Sequence, residues 1–496
     1  MKILCRKKVA LDSRKDAIVI PIYKNIPSIR AITGKKIDDE LRTILDSNYF
    51  NFEEKEIRSF YVELNKKLKK IYLVNTPKEV EYPEVYRELG AKIAGILNDD
   101  KIYSISLIAF EDIYNEKKSN ASTSAFMEGI MFSLYSFDRY KTKKAHHTLE
   151  EVEIITNMTR LKSYIDANHA EWNDIFKYVN IAKDLVNTPP NDLTPAGFAD
   201  YVVASAHPSL KVTVLDEHEI AERGMNLITA VGKGSGNPPR FVHIVYNGAT
   251  DTTNNVAIVG KGVTFDSGGT NLKPSGSLER MKDDMSGAAA VFAVVNLIAS
   301  QNLPVNINAY LPMVENTIGG KATRPGDIVK SFSGKTVEIL NTDAEGRLIL
   351  ADALYMATQT DPEIIIDIAT LTGACLVALG DQCAGLFSNR KFLSKNISDI
   401  SSEVGEDLWE LPLYENYAAK LKSKNADLQN MASGAKNAGA IIAALFLKEF
   451  VENYPWIHLD IAGTAFLEEK HPVFGNQASG FGVRLIYQFI KRYYVK

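Results

Sequence analysis

"KTVEILNTDAEGRLILADALYMATQTDPEIIIDIA" occupies residues 335–369. "KTVEIL" has the short apolar pattern of a strand. "RLILADALYMAT" has helical spacing, and "EIIIDIA" is a near-continuous apolar run of the kind buried in a sheet interior. A strand, a helix and a second strand in that order make a unit of a mostly parallel sheet. The loop inside the unit carries two carboxylates, Asp343 and Glu345, followed by Gly346 and Arg347. One reading of that loop is local. Thr342-x-x-Glu345 fits a capping box, and acidic residues suit the positive end of a helix. Gly346 fits it poorly, because a glycine in a first helical turn costs about 1 kcal/mol relative to alanine.

The same alternation extends in both directions. "NVAIVG" (255–260) leads into a glycine-rich loop, and "MSGAAAVFAVVNLIAS" (285–300) is helical with small residues on one face. "VNINAYLPM" (305–313) is a strand, and "GACLVALG" (373–380) opens another helix. The expected architecture is an α/β domain with a mostly parallel central sheet flanked by helices. Ligands in such sheets sit beyond the carboxyl ends of the strands. "GKGVTFDSGG", "NTDAEGR" and "ATLTGA" all fall there.

The first part of the chain reads as a smaller α/β domain over residues 1–165, with strands in "DAIVIPIY", "KKIYLV" and "SISLIAF" and a helix in "PEVYRELGAKIAGIL". A second domain, 166–496, begins with a linker helix, "DIFKYVNIAKDLVNTPPN", that stops at Pro189-Pro190. At 496 residues the chain has room for two large domains or three ordinary ones.

Charge is uneven. Residues 1–150 hold 27 Lys+Arg against 22 Asp+Glu, while the remainder holds 30 against 39. The overall balance of -4 gives no global basic field for nucleic acid. Two basic clusters, "KKLKK" (66–70) and "KTKKAHH" (141–147), read first as solvated surface and otherwise as a DNA contact. Cys5, Cys375 and Cys383 form no paired framework, and the N-terminal stretch has no signal-peptide pattern. No run approaches the roughly 20 apolar residues of a membrane span. A cytoplasmic protein is expected.

Three loops at one sheet edge bring carboxylates together: Asp266, then Asp283 and Asp284, then Asp343 and Glu345, with Lys261, Lys273 and Arg347 among them. Converging carboxylates repel unless cations neutralise them. Such a set suits divalent metals, and two of them at hydrolytic spacing. The scattered histidines offer no HExxH, so a metal site must be mainly carboxylate. There is no GxxxxGK[ST] and no GxSxG, which leaves a P-loop and a serine hydrolase without support. A carboxylate two-metal phosphatase stays open on the residues alone.

Together, "GKGVTFDSGG", "MKDDMSGAA" and "NTDAEGRLILADAL" resemble the leucine aminopeptidase family of two-metal cytosolic exopeptidases. "DLVNTPPN", "RPGDIV" and "HLDIAGTA" match as well, so the resemblance runs from about residue 180 to 485. It implies an enzyme that releases N-terminal residues, leucine or other apolar ones, from peptides with a free N-terminus. It implies Lys261, Asp266, Asp284, Asp343 and Glu345 as ligands of two divalent ions, zinc or manganese foremost, with magnesium or cobalt as alternatives. Asp283 stands at a variable position. Lys273 and Arg347 match catalytic positions, the arginine holding a bicarbonate that acts as general base. Met281, Thr370, Gly373 and Ala462 match the walls of the first side-chain pocket. The resemblance also implies a homohexamer, and some bacterial relatives bind DNA. Asn271 and Thr317 depart from the usual serine and methionine at positions that match no catalytic residue.

Overall fold

A computed structural model describes residues 1–7, 15–22, 35–47, 53, 55–64, 66–76, 83–110, 116–250, 255–432 and 438–495. They form two compact units. The first comprises Met1–Phe176 with Glu469–Gly475, the second Lys177–Glu468 with Asn476–Lys496.

The first unit is built on a six-stranded sheet in the order Lys2–Arg6, Glu151–Ile155, Ser104–Ile108, Ala17–Ile22, Lys67–Asn75, Ile57–Leu64. Neighbours are parallel except for the last pair, a hairpin. Tyr23, the last residue of the expected first strand, lies outside the described residues. The two basic clusters differ in kind. "KTKKAHH" is a loop, as expected of solvated surface. "KKLKK" leads into the expected strand with Lys66 and Lys67 exposed, while two of its lysines have partners: Lys70 Nζ sits 2.7 Å from Asp100, and Lys69 donates to the carbonyl of Lys15.

The second unit holds a nine-stranded sheet. Its path runs Leu408–Glu410, Ala384–Ser388, Trp456–Asp460, Ile364–Ala369, Asn255–Gly260, Asn306–Asn316, Arg240–Asn247, Leu210–Leu215, with Gly262–Asp266 paired to Asn306–Asn316 off the path. The four central strands are mutually parallel. Ile364–Ala369 is buried along its whole length, as its sequence requires, and each of its isoleucines contributes about 1.5–3 kcal/mol by leaving water. Alternation along the strand serves two layers. Ile365 joins the core beneath helices Gly346–Thr358 and Gly439–Lys448. Ile368 turns the other way, toward Ala290 of helix Ser286–Ser300. The α/β architecture with flanking helices is therefore the one the sequence predicts.

Two details differ from expectation. Helix Thr159–Asn187 starts well before "DIFKYV", though it does end just ahead of Pro189. "KTVEIL" does form a strand, Thr336–Ile339, but outside the central sheet. It is the middle strand of a three-stranded sheet, between Asp327–Lys330 and Leu428–Gln429. Only the following helix and Ile364–Ala369 belong to the main layers. The segment Met281–Ser300 has the length and composition to cross a membrane, yet it is 94% buried inside the protein, as a core helix is. Cys5, Cys375 and Cys383 are all free thiols.

Candidate metal centre and active site

Lys261 follows directly on Asn255–Gly260. Its backbone is held by neighbours on both sides: its N–H donates to the carbonyl of Ile368 (3.1 Å), and its carbonyl accepts from Ala288 N–H (2.8 Å). The small residues at the start of Ser286–Ser300 permit that approach. The register of Gly262–Asp266 against its partner slips between Val263 and Phe265. This bend lets Lys261 and Asp266, five positions apart, serve one place, where a regular strand would point them to opposite faces. The chain then turns through Gly268 and Gly269, both at positive φ, to present Lys273.

The two lysines divide the carboxylates between them. Lys261 Nζ lies 2.7 Å from Asp284 Oδ1 and 3.0 Å from Glu345 Oε1. Lys273 Nζ lies 2.8 Å from Asp266 Oδ2 and 2.6 Å from Asp343 Oδ1. Lys261 also donates to the Thr370 carbonyl at 2.8 Å, and Thr370 Oγ1 donates to Asp284 Oδ1 at 2.9 Å. Asp266, Asp343 and Glu345 each offer an oxygen within 4.8 Å of the others. Asp284 Oδ2 and Glu345 Oε2 are buried and accept no hydrogen bond among the described residues. A buried oxygen without a donor costs about 1–3 kcal/mol, more when charged. Such a convergent, acceptor-only set with oxygens to spare fits a divalent cation.

The electrostatics say the same. Burial raises the proton affinity of Asp266, and repulsion from Glu345 adds to it. Burial likewise raises Asp284 well above the ordinary range, with Lys261 opposing. Asp343 is raised by burial against the pull of Lys273. Glu345 is held down, because Lys261 and Lys273 outweigh its burial. Burial opposes the charge on Lys261, but Asp284, Glu345 and Asp266 keep it protonated. At about 4 Å, two like charges in such surroundings repel by about 4 kcal/mol, so nearby cations decide whether the carboxylates ionise.

Arg347 sits in the first turn of Gly346–Thr358. Its Nη1 donates to the Asn430 carbonyl at 2.9 Å, and its buried Nε has no hydrogen-bond partner among the described residues. Burial pushes its pKa down to about 10, with Glu345 opposing. Asp283 is buried too, but its Oδ2 faces Arg280 Nε at 3.5 Å, and burial pushes it up to about 6.

Of the expected pocket residues, Thr370 touches the charged set directly. Met281 opens the short 3-10 helix Met281–Met285 that carries Asp284. Gly373 starts helix Gly373–Leu379, and a Cβ added there would meet no atom of the described residues within 4 Å. Ala462 is tied to the same region through Asp460, whose Oδ1 accepts from the N–H groups of Ala462 (3.3 Å) and Leu371 (3.1 Å).

The capping box does not form. Glu345 is the N-cap residue of Gly346–Thr358 and makes no side-chain cap bond. Thr342 Oγ1 instead donates to the Gly268 carbonyl at 2.7 Å and accepts from Asn271 N–H at 2.9 Å. Asn271 returns the contact, its Oδ1 accepting from Thr342 N–H at 2.8 Å. The departure from serine at 271 is thus a stitch between the loop of Lys273 and the acidic loop. Two further asparagines escape a search for charges. Asn316 donates to Asp266 Oδ1 (2.8 Å) and to the Thr342 carbonyl (2.9 Å). Asn430 contacts the acidic loop from its other side. Neither carries a charge or a pattern that marks it in the sequence.

This arrangement, an α/β sheet edge with a cation-hungry carboxylate cluster beside two lysines and an arginine, defines a metal-dependent hydrolase. The chain belongs to the cytosol aminopeptidase family and is a metallo-aminopeptidase. Residues 180–487 match the model of the family's catalytic domain, and residues 19–144 match its N-terminal domain. A probable cytosol aminopeptidase of Geobacter sulfurreducens is 45% identical over 373 residues, 75% of each chain. One of Chlamydia abortus is 37% identical over 500 residues, 99% of this chain and 98% of its own. Among solved structures, the bottromycin maturation enzyme BotP in complex with Mn superposes with a TM-score of 0.82 at 30% identity, over 97% of this chain and 100% of that one.

Proposed function

We propose that this aminopeptidase removes leucine and other apolar N-terminal residues from peptides by a two-metal mechanism. Asp266, Asp284, Asp343, Glu345 and Lys261 would hold the two ions, zinc or manganese, with magnesium or cobalt able to substitute. The observation that carries this reading is the convergence of four carboxylates, Asp266, Asp284 and Glu345 buried and Asp343 half-buried, two of them with an oxygen that accepts no hydrogen bond among the described residues. Divalent ions bound there supply Lewis acidity and a water of pKa near 7. Lys261 binds as a neutral amine, its burial favouring the loss of charge once its carboxylates have another cation. Lys273 donates toward the oxygen that becomes anionic as the scissile carbonyl is attacked. Arg347, whose buried Nε has no partner among the described residues, would hold a bicarbonate, which would supply a general base beside the cluster. Met281, Thr370, Gly373 and Ala462 line the pocket for the first side chain, and the small residues leave room for a branched apolar group.

The same reading places the enzyme in the cytoplasm as a homohexamer. Its three free thiols suit a reducing compartment. Against the DNA-binding alternative, Lys69 and Lys70 of the first basic cluster are engaged within the fold. A chelator should abolish hydrolysis of leucine p-nitroanilide, and zinc or manganese should restore it. N-acetyl-leucine p-nitroanilide should stay intact throughout. Full activity in demonstrably metal-free protein would overturn the reading.

A further inference from the structure

Asn430 follows the two-residue strand Leu428–Gln429, and its side chain is fully buried. Its own N–H donates to the Glu338 carbonyl at 3.1 Å, which fixes it to the three-stranded sheet. From there it makes contacts in three directions. Its Oδ1 accepts from the N–H groups of Leu340 (2.8 Å) and Asn341 (3.3 Å). Its Nδ2 donates to the carbonyls of Asn341 (2.7 Å) and Ala344 (3.3 Å). Its backbone carbonyl accepts from Arg347 Nη1 at 2.9 Å.

These partners bracket the acidic loop. Leu340 and Asn341 precede Asp343, Ala344 separates Asp343 from Glu345, and Asn341 Oδ1 in turn accepts from Asp343 N–H at 2.9 Å. We propose that Asn430 is a positioning residue: its primary amide holds the main chain of 340–344 in the pose that aims Asp343 and Glu345, while its carbonyl aims Arg347. Only a primary amide of this length offers two acceptor and two donor sites at one point. Aspartate would keep the acceptor side but set a carboxylate against the carbonyls of Asn341 and Ala344. Partners that orient ligands typically change metal affinity or activity 10–100-fold when removed, roughly the scale expected here. The proposal rests on the two-metal reading for its consequence, though not for the pose itself.

The test compares wild type with Asn430→Ala and Asn430→Asp. Hydrogen exchange of a peptide spanning 340–347 reads the loop pose without reference to metal. Competition with a chromophoric chelator reads the affinity for Zn²⁺. Both variants should exchange faster in that peptide and bind Zn²⁺ about 10–100-fold more weakly. Saturating Zn²⁺ should recover part of kcat in Asn430→Ala, with KM for leucine p-nitroanilide changed less than kcat. Unchanged exchange in a folded variant overturns the proposal. Loss of the fold in both variants also overturns it, in favour of a purely structural role. A wild type that binds no metal refutes the two-metal reading alone, and exchange still decides the role of Asn430.

Discussion

The side chain of Lys261 fills the space beside Gly346 in which a Cβ would stand: its Cε lies 2.5 Å, and its Nζ 2.7 Å, from that point. This explains a glycine that is costly at the start of a helix. Its absent side chain is the channel through which the lysine reaches Asp284 and Glu345.

Gly346→Ala should therefore displace Lys261. A shift of about 1 Å in such a group costs on the order of 10²-fold in rate. Steady-state kinetics beside Gly236→Ala check this, since a Cβ at Gly236 meets nothing within 4 Å and that variant should match wild type. Equal kcat/KM for the two variants would refute the account.

The two lysines should separate by metal content. Lys261 is almost wholly buried between Asp284 and Glu345, whereas the Lys273 side chain keeps 16% of its exposure. Lys261→Met should purify with less bound metal. Lys273→Met should retain two ions per chain yet lose about 10²–10³ in kcat, the range for one oxyanion donor. Elemental analysis of both proteins decides, and the reverse pattern would show the roles to be exchanged.

Lys183, on helix Thr159–Asn187, gives a pH dependence away from the site. Burial pushes its pKa down to about 7 from an ordinary 10.5, with Asp184 opposing. Between those values the unfolded chain holds the proton and the folded chain does not, so stability rises with pH across that window. Lys183→Met removes this contribution. The stability of wild type relative to Lys183→Met should climb from pH 7 toward pH 10, as followed by denaturant unfolding. A flat difference would show that Lys183 stays charged in the fold.

Much of this was legible in the sequence because charges in loops are conspicuous. Asp266, Asp343 and Glu345 stand out as carboxylates at or beyond strand ends and Asp284 as one at a helix start, and only a cation reconciles them. The sheet that carries Thr336–Ile339 was not legible from the motif order alone. Thr336–Ile339 alternates polar and apolar residues, and that alternation was the available sign of a strand covered on one face; in the fold it alternates between half-buried and buried, unlike the uniformly buried Asn255–Gly260. Thr342 followed the capping pattern locally, but Gly268 and Asn271, distant in sequence, claimed its hydroxyl. Asn316 and Asn430 carry no charge and match no motif. Their roles appear only when the fold brings backbone groups to them.

The nine-stranded and three-stranded sheets of the catalytic unit are joined along an electrostatic seam. Asp266 approaches from the end of a strand of the large sheet and Asp284 from the 3-10 helix Met281–Met285, Glu345 and Asp343 from the loop that leaves the small sheet. Lys261 joins one carboxylate from each side, and Lys273 does the same. The chain thus carries its own rivets, two cationic side chains that hold opposing walls in register. On the two-metal reading proposed above, a chelator should leave those walls still pinned by the lysines, so that the protein takes metal back without refolding.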